Sequence, residues 1–427
     1  LGGKGAGKTT LGLNPILLQA LRQECGALIF NVKGDYDRVV NALAAKAGRS
    51  VRVIGFGDGA ERIDLLGGVS PEMAAAFISA LLLLTGNRAS EAVFWNVNAS
   101  NLSRAVLGLL WYYPKRYSLP GLYRYLFVKE EREQVDQLVS QLRTAMTEAW
   151  TNAEPGEKRE AMARDLRYID GCDQEIKNFY DQTHEIQSGV RSQLSQILAK
   201  MVVPELEDAF GTPQEEGANQ FAFEQLYERG DVVVVNVPLQ TYGLAAAAIM
   251  TFAKLRFYIA MEQRRLRPTA NQTRRVGLFV DECHQIAACS QEGMSDHAFL
   301  AMSRDTKTFC VFATQSVSAL CAKIGDDMTD ALIANLRQRI ILRTEDRRTI
   351  DDALHLLGQI EFDRETTSTT RQPGSWFASK GTSHAPQLQA VANAALIRNL
   401  QPREALAILS IDGCSADDII TLEPEYV

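Results

Sequence analysis

The run Gly2-Gly3-Lys4-Gly5-Ala6-Gly7-Lys8-Thr9-Thr10 constrains this chain more than any other stretch of it. It fits the pattern G-x-x-x-x-G-K-[ST], in which glycines let the backbone curl so that successive N–H groups point inward around a phosphate. The helix that follows adds positive potential at its N-terminus. In this pattern the lysine, Lys8, bridges the β- and γ-phosphates and the hydroxyl of Thr9 ligates Mg²⁺, so the expected cofactor is ATP with Mg²⁺. The bland alternative is an incidental glycine-rich turn. An apolar helix over about residues 9–24 and the strand Ala27-Leu28-Ile29-Phe30-Asn31-Val32 follow in the order a phosphate loop requires, and they argue against it.

The rest of the chain carries the same α/β rhythm twice, with an interruption. Lys33-Gly34-Asp35 turns out of the first strand, a helix follows, and Val51-Arg52-Val53-Ile54 is a second short strand. From about 71 to 204 the apolar residues recur at three and four, as in Phe94, Val97, Leu102, Val106 and Leu110, which is a helical spacing. Residues 130–165 read as polar helix broken at Glu154-Pro155-Gly156. The α/β alternation returns with Val232-Val233-Val234-Val235-Asn236, a helix over about 243–265, a strand at 276–280, a helix near 298–304 and a strand at 308–313. Later strands are expected at 339–342 and 405–409, with 361–384 an exposed loop or hairpin. The expected fold class is therefore α/β, a RecA-like P-loop NTPase with a mostly parallel sheet flanked by helices and an inserted all-α domain. Its expected divisions are 1–68, the nucleotide-binding domain's first part; 69–205, the all-α insertion; and 206–427, the second part of the nucleotide-binding domain.

Further chemistry sits at strand ends. Val276 to Val280 runs into Asp281-Glu282, which suits an acid pair in which Asp281 holds the Mg²⁺ shell and Glu282 acts as general base on the attacking water. Cys283 and His284 lack further ligands and read as turn residues. One strand later, Ala313-Thr314-Gln315-Ser316 puts Gln315 where it can sense the γ-phosphate or orient water, or simply cap a strand. Arg304 precedes that strand and either reaches a neighbouring subunit's γ-phosphate or lies solvated at a helix end; Arg337, Arg339 and Arg343 are weaker alternatives. Lys33 lies on the edge where open α/β sheets bind ligands, and is either a nucleotide or DNA contact or a solvated turn lysine. Arg264-Arg265-Leu266-Arg267 reads as a basic helix end satisfying C-terminal carbonyls.

Composition limits the function classes. With 46% hydrophobic and 23% charged residues the chain is globular rather than disordered. A net charge of −7 argues mildly against nucleic acid, yet a ring can keep its basic residues on inner loops. Seven cysteines without a C-x-x-C pair suit a reducing cytoplasm and act as small apolar fillers. No run of 18 apolar residues occurs. The chain opens already inside the phosphate loop, with no strand ahead of it, so it is expected to be an N-terminally trimmed fragment whose upstream membrane anchor is lost.

Together these residues resemble the type IV secretion coupling proteins of the TraG/TraD class, within the HerA/FtsK group of ATPases. The matching features, in the family's order, are the glycine loop, Lys33-Gly34-Asp35, Phe94-Trp95, the valine strand ending at Pro238, Asp281-Glu282, Ala313-Thr314-Gln315-Ser316 and the stretch 335–346 with its Arg-Ile-Ile-Leu strand. Asn31 departs from the family, standing where an acid is common. The resemblance implies a homo-hexameric ring at the bacterial inner membrane, with this portion cytoplasmic. It implies ATP hydrolysis, sequence-independent DNA binding and delivery of a relaxase–DNA complex or relaxosome to the type IV secretion channel. It further implies that the all-α insertion receives the cargo and that Arg304 is a finger from the adjacent subunit. The runner-up readings are a soluble HerA/FtsK-like DNA translocase or the secretion system's assembly ATPase, and then a docking platform that binds nucleotide without turning it over.

Overall fold

Valine, isoleucine and phenylalanine in runs without alternation form strands covered on both faces, and such runs build the central sheet here. The computed structural model describes residues 1–57, 59–84, 90–211, 221–288, 294–370 and 379–426. The strands are β1 (Gly26–Asn31), β2 (Val51–Gly55), β3 (Val232–Asn236), β4 (Val276–Val280), β5 (Thr308–Phe312), β6 (Arg339–Ile341), β7 (Gln359–Thr370), β8 (Ser379–Ala390), β9 (Glu404–Ile411) and β10 (Cys414–Thr421). The first five make one parallel sheet in the order β2-β3-β1-β4-β5. Every residue of β1, β3 and β4 is buried.

The chain forms two compact units. The larger holds Leu13–Ala313 and Leu320–Asn335, and with them the parallel sheet and all the helices between residues 71 and 210. On one sheet face the helices Asn14–Arg22 and Tyr36–Lys46 pack Leu17, Leu21, Val40 and Leu43 against Ala27, Ile29, Val232 and Val234. Helices joined by short turns make up the interruption, with no strand among its described residues, and Glu154-Pro155-Gly156 separates Lys129–Asn152 from Glu157–Tyr180. Of the apolar stripe on Ser90–Leu110, Leu102, Val106 and Leu110 are buried. Phe94 and Val97 are each 49% exposed, with the Phe94 ring edge-on to Trp95 at 5.1 Å.

Among the described residues one helix, Leu244–Leu266, is long and apolar enough to cross a membrane, and 89% of its apolar window is buried inside the protein. It contacts the helices Pro71–Leu84 and His184–Met201. Two of its charges are buried with their partners. Lys254 pairs with Asp296 at 2.7 Å, and Asp296 also accepts from the Tyr258 hydroxyl and the Ala288 N–H. Arg264 does not cap its own helix. Its guanidinium donates to the carbonyls of Asn271, Thr306 and Arg274 and lies over the Tyr227 ring. The helix-end carbonyls of Arg264 and Arg267 are satisfied instead by the Gln272 amide.

The smaller unit holds Leu1–Gly12, Thr314–Ala319 and Leu336–Glu425. Its sheet is antiparallel, in the order β10-β9-β6, and β7 with β8 forms a two-stranded hairpin. The expected loop or hairpin over 361–384 is thus a hairpin in its described residues. Ile341, Ile350, Ile397, Leu406 and Ile408 form this unit's core.

Candidate functional site

The glycine run belongs to the smaller unit and is held there by backbone bonds. Leu342 N–H donates to the Leu1 carbonyl at 2.9 Å and Gly3 N–H to the Arg343 carbonyl at 3.0 Å, so the turn hangs from β6. Gly5 and Gly7 have φ of +77° and +85°, a left-handed region that side chains with a Cβ rarely enter, and these two positions turn neighbouring N–H groups the same way. Lys8 folds back over the turn, its ammonium donating to the carbonyls of Gly2 at 3.0 Å and Gly3 at 3.3 Å. Lys4 and Gly5 are exposed, Ala6, Gly7, Lys8, Thr9 and Thr10 half-buried, and Gly2 buried. The helix expected from residue 9 begins as a wide turn, Lys8–Leu13, followed by Asn14–Arg22. Pro15 has no N–H to donate one turn back, and such widened turns collect at functional positions.

Gln315 lies in the same unit, exposed, just before a tightly bonded corner. Val317 N–H donates to the Thr349 hydroxyl at 2.9 Å, and that hydroxyl donates to Asp346 at 2.7 Å. Asp346 also caps the helix Arg347–Leu357 by accepting the Thr349 N–H. Burial pushes the Asp346 carboxyl up, but hydrogen bonds from Ser318 and Thr349 outweigh it and hold its pKa below the usual carboxylate range. Arg339 is committed to Asp352 and to the Leu336 carbonyl.

The acid pair lies in the larger unit. β4 ends at Val280, and Asp281 and Glu282 follow at the C-terminal edge of the sheet, 3% and 7% exposed. Asp281 Oδ1 accepts the Glu282 N–H at 3.0 Å, and Glu282 has φ of +49°, a strained conformation for a residue with a side chain. The short turn Cys283–Gln285 follows, with His284 Nδ1 3.7 Å from Glu282 Oε2. Burial pushes the Cys283 thiol up to about 12, which suits an apolar filler. Cys25, Cys172 and Cys321 are likewise buried, Cys414 is exposed, and Cys289 lies outside the described residues.

Lys33 is the residue whose place the sequence left open. Its ammonium lies 2.8 Å from Asp281 Oδ2 and 3.3 Å from Glu282 Oε1. The register explains why, since β1 and β4 are neighbours with Phe30 opposite Val280, and both strands end at one edge. Burial pulls the Lys33 pKa down, but the hydrogen bond and charge of Asp281 and the charge of Glu282 outweigh it and leave it above the ordinary lysine value.

Arg304 is at the other edge. It precedes β5, is exposed, and lines a cleft of about 420 Å³ with Arg275, Lys307, Gln19 and Gln23 at the N-terminal ends of the strands. Five residues of parallel strand, roughly 16 Å, separate that edge from the one carrying Asp281 and Glu282.

A family model for the type IV secretion-system coupling protein DNA-binding domain matches residues 1–413. No curated protein sequence matches the chain. Among solved structures, the unbound form of the bacterial conjugative coupling protein TrwB is similar at a TM-score of 0.67, with 17% identity over 99% of this chain and 83% of that one. The plasmid coupling protein TrwB in complex with ADP and Mg²⁺ gives 0.66, with 16% identity over 100% of this chain and 84% of that one. VirB4 of Thermoanaerobacter pseudethanolicus gives 0.51, with 15% identity over 100% and 88%. These likenesses carry the fold, a mostly parallel sheet flanked by helices, and the family model carries the membership: this chain belongs to the type IV secretion-system coupling proteins.

Proposed function

We propose that this chain is an ATP-hydrolysing motor that moves DNA for a type IV secretion system, delivering relaxase–DNA or effector cargo to the channel. The observation that carries the reading is the glycine turn of a coupling-protein family member, with Gly5 and Gly7 left-handed and Lys8 closing over it. The residues fit nucleotide and metal. Backbone N–H groups of the turn suit phosphate oxygens. The Thr9 hydroxyl and the Asp281 carboxylate are the oxygen donors a hard divalent cation takes. Two solved TrwB complexes, one with ADP and Mg²⁺ and one with the ATP analogue ADPNP, support the same cofactors.

Bound ATP with Mg²⁺ supplies a phosphoryl group whose transfer to water releases the free energy of the cycle, the metal neutralising charge as it develops. Lys8 would exchange its carbonyl partners for phosphate oxygens. Glu282, in its strained backbone conformation, would accept the proton of the attacking water. Gln315 would orient that water. Arg304, on the edge away from its own acids, would serve the site of an adjacent subunit in a homo-hexamer. The family model's name supports DNA as a partner, and we infer that binding is independent of sequence. Relaxosome and channel proteins, and an inner-membrane setting with this portion cytoplasmic, follow from family membership. We retain the division into 1–68, 69–205 and 206–427 as the functional one, with the helical stretch receiving cargo.

The test is ATPase activity with and without single-stranded DNA. The chain is expected to hydrolyse ATP faster on DNA, and Lys8→Ala to lose at least about a hundredfold in rate. Equal rates with and without DNA, or an active Lys8→Ala, would sink the proposal.

A further inference from the structure

Lys33 occupies a position that chemistry reserves for a metal's neighbourhood. Its ammonium bridges both acids, at 2.8 Å from Asp281 and 3.3 Å from Glu282. The two carboxylate side chains are 4% and 9% exposed, the lysine 44%. Two adjacent carboxylates with so little water need a positive charge close by, and one comes from a residue 248 positions away in sequence. Lys33 is not a floating arm. Its turn is anchored by the buried Asn31, whose Oδ1 accepts from Gly34 N–H at 2.8 Å and Tyr36 N–H at 3.1 Å while its amide donates to Asn236 at 3.0 Å. The acids are anchored as well, through the Cys283 N–H to the Ala313 carbonyl at 2.8 Å. The contact is therefore built from both sides.

A divalent cation held by Asp281 would do the same electrostatic work with twice the charge, and Asp281 Oδ2 cannot give its full strength to both. We infer that Lys33 is a resident counter-cation of the acid pair, which Mg²⁺ entering with nucleotide must displace from Asp281. This rests on the reading of Asp281 as a metal-holding residue. Lys33 thereby sets the Mg²⁺ concentration at which nucleotide is retained, and its release reports that metal has arrived.

Two measurements test it on the whole chain. The first is equilibrium binding of a fluorescent ADP analogue, titrated with Mg²⁺, for the unmodified protein, Lys33→Met and Lys33→Arg. Lys33→Met is expected to lower the half-saturating Mg²⁺ concentration about three- to tenfold, and Lys33→Arg to stay near the unmodified value. The second is acetylation of Lys33 read by mass spectrometry against the exposed Lys129. Labelling should rise at least about twofold with ADP and Mg²⁺, and stay at its ligand-free level with ADP in a chelator. A Lys33→Met midpoint equal to or above the unmodified one, or labelling that falls with ADP and Mg²⁺, would overturn this inference while nucleotide binding stands. Absence of Mg²⁺-dependent nucleotide binding by the unmodified chain would overturn the proposed function and this inference together.

Discussion

A buried amide side chain has to find partners for two donors and two acceptor lone pairs, and Asn31 finds all of them. Oδ1 takes the N–H groups of Gly34 and Tyr36, and Nδ2 gives to Asn236 and Asp37. An aspartate there would keep the turn but face the Asp37 carboxylate at about the distance of the present 3.4 Å contact, which is one physical reason for an amide at this position. Asn31→Leu removes the acceptor for two N–H groups at a strand end and is expected to cost roughly 2–4 kcal/mol, read as a shift in denaturant midpoint at constant slope. A change below about half a kcal/mol would show that the turn holds without that side chain. The sequence marked Asn31 only as a departure from the family. Three of its partners lie within six residues, in the turn and the start of the next helix, while the fourth is on a strand 205 residues on, and no local pattern predicts that pairing. The ion pair of Lys33 with Asp281 was hidden for the same reason, because it depends on β1 lying beside β4 and not on anything near Lys33.

Elements whose signal is local were legible. The valine run of β3, the apolar run of β1 and the acids closing β4 appear where periodicity put them, within a residue or two. What escaped is the role of charges inside the long helix Leu244–Leu266, since the partners of Lys254 and Arg264 lie on other elements and the sequence offered Arg264 only as a cap for its own helix end. Lys254 and Asp296 are each about 2% exposed at the side chain, and together they tie that helix to the chain just beyond the acids through the Ile286 and Ala288 backbone. Lys254→Met leaves Asp296 charged without its cation and is expected to lower stability by about 3–5 kcal/mol, with Lys254→Met/Asp296→Asn less damaging than the sum of the single changes. Additive losses in thermal or denaturant melts would argue that the two do not interact. At the head of Arg347–Leu357, Asp346 has a depressed pKa in the folded chain, so its contribution is fully present above the unfolded carboxylate value near 4 and is lost as pH falls through the folded one. Comparing Asp346→Asn with the unmodified chain between about pH 7 and pH 3 should show a stability gap of roughly 1 kcal/mol that narrows on acidification. A gap that is constant or widens toward low pH would contradict the assignment.

At the scale of the molecule, the fold is shared with TrwB over almost the full chain at 17% identity. The later strands β6 and β9 were legible singly, but not as partners in a separate antiparallel sheet, because their pairing joins stretches more than sixty residues apart, and β10, which pairs with β9, was not foreseen. Arg304 provides the prediction that belongs to this scale. If it acts on an adjacent subunit, mixing Arg304→Ala with Lys8→Ala protomers restores function at the interfaces that unite one intact member of each kind, roughly a quarter of them in an equal mixture. ATPase activity of the mixture above that of either variant checks this, and no recovery in assemblies proven to contain both variants would refute it.

The polarity of five parallel strands then acquires a consequence for assembly. One end of the sheet carries the acids and the other carries Arg304, so if that arginine serves a neighbour's acids, two copies must meet unlike end to unlike end. A contact between like ends would present each arginine to an end that has no acids. If Arg304 serves a neighbour's site, contacts repeated in one sense along a row of copies would leave an arginine end and an acid end unmatched until the row closes on itself.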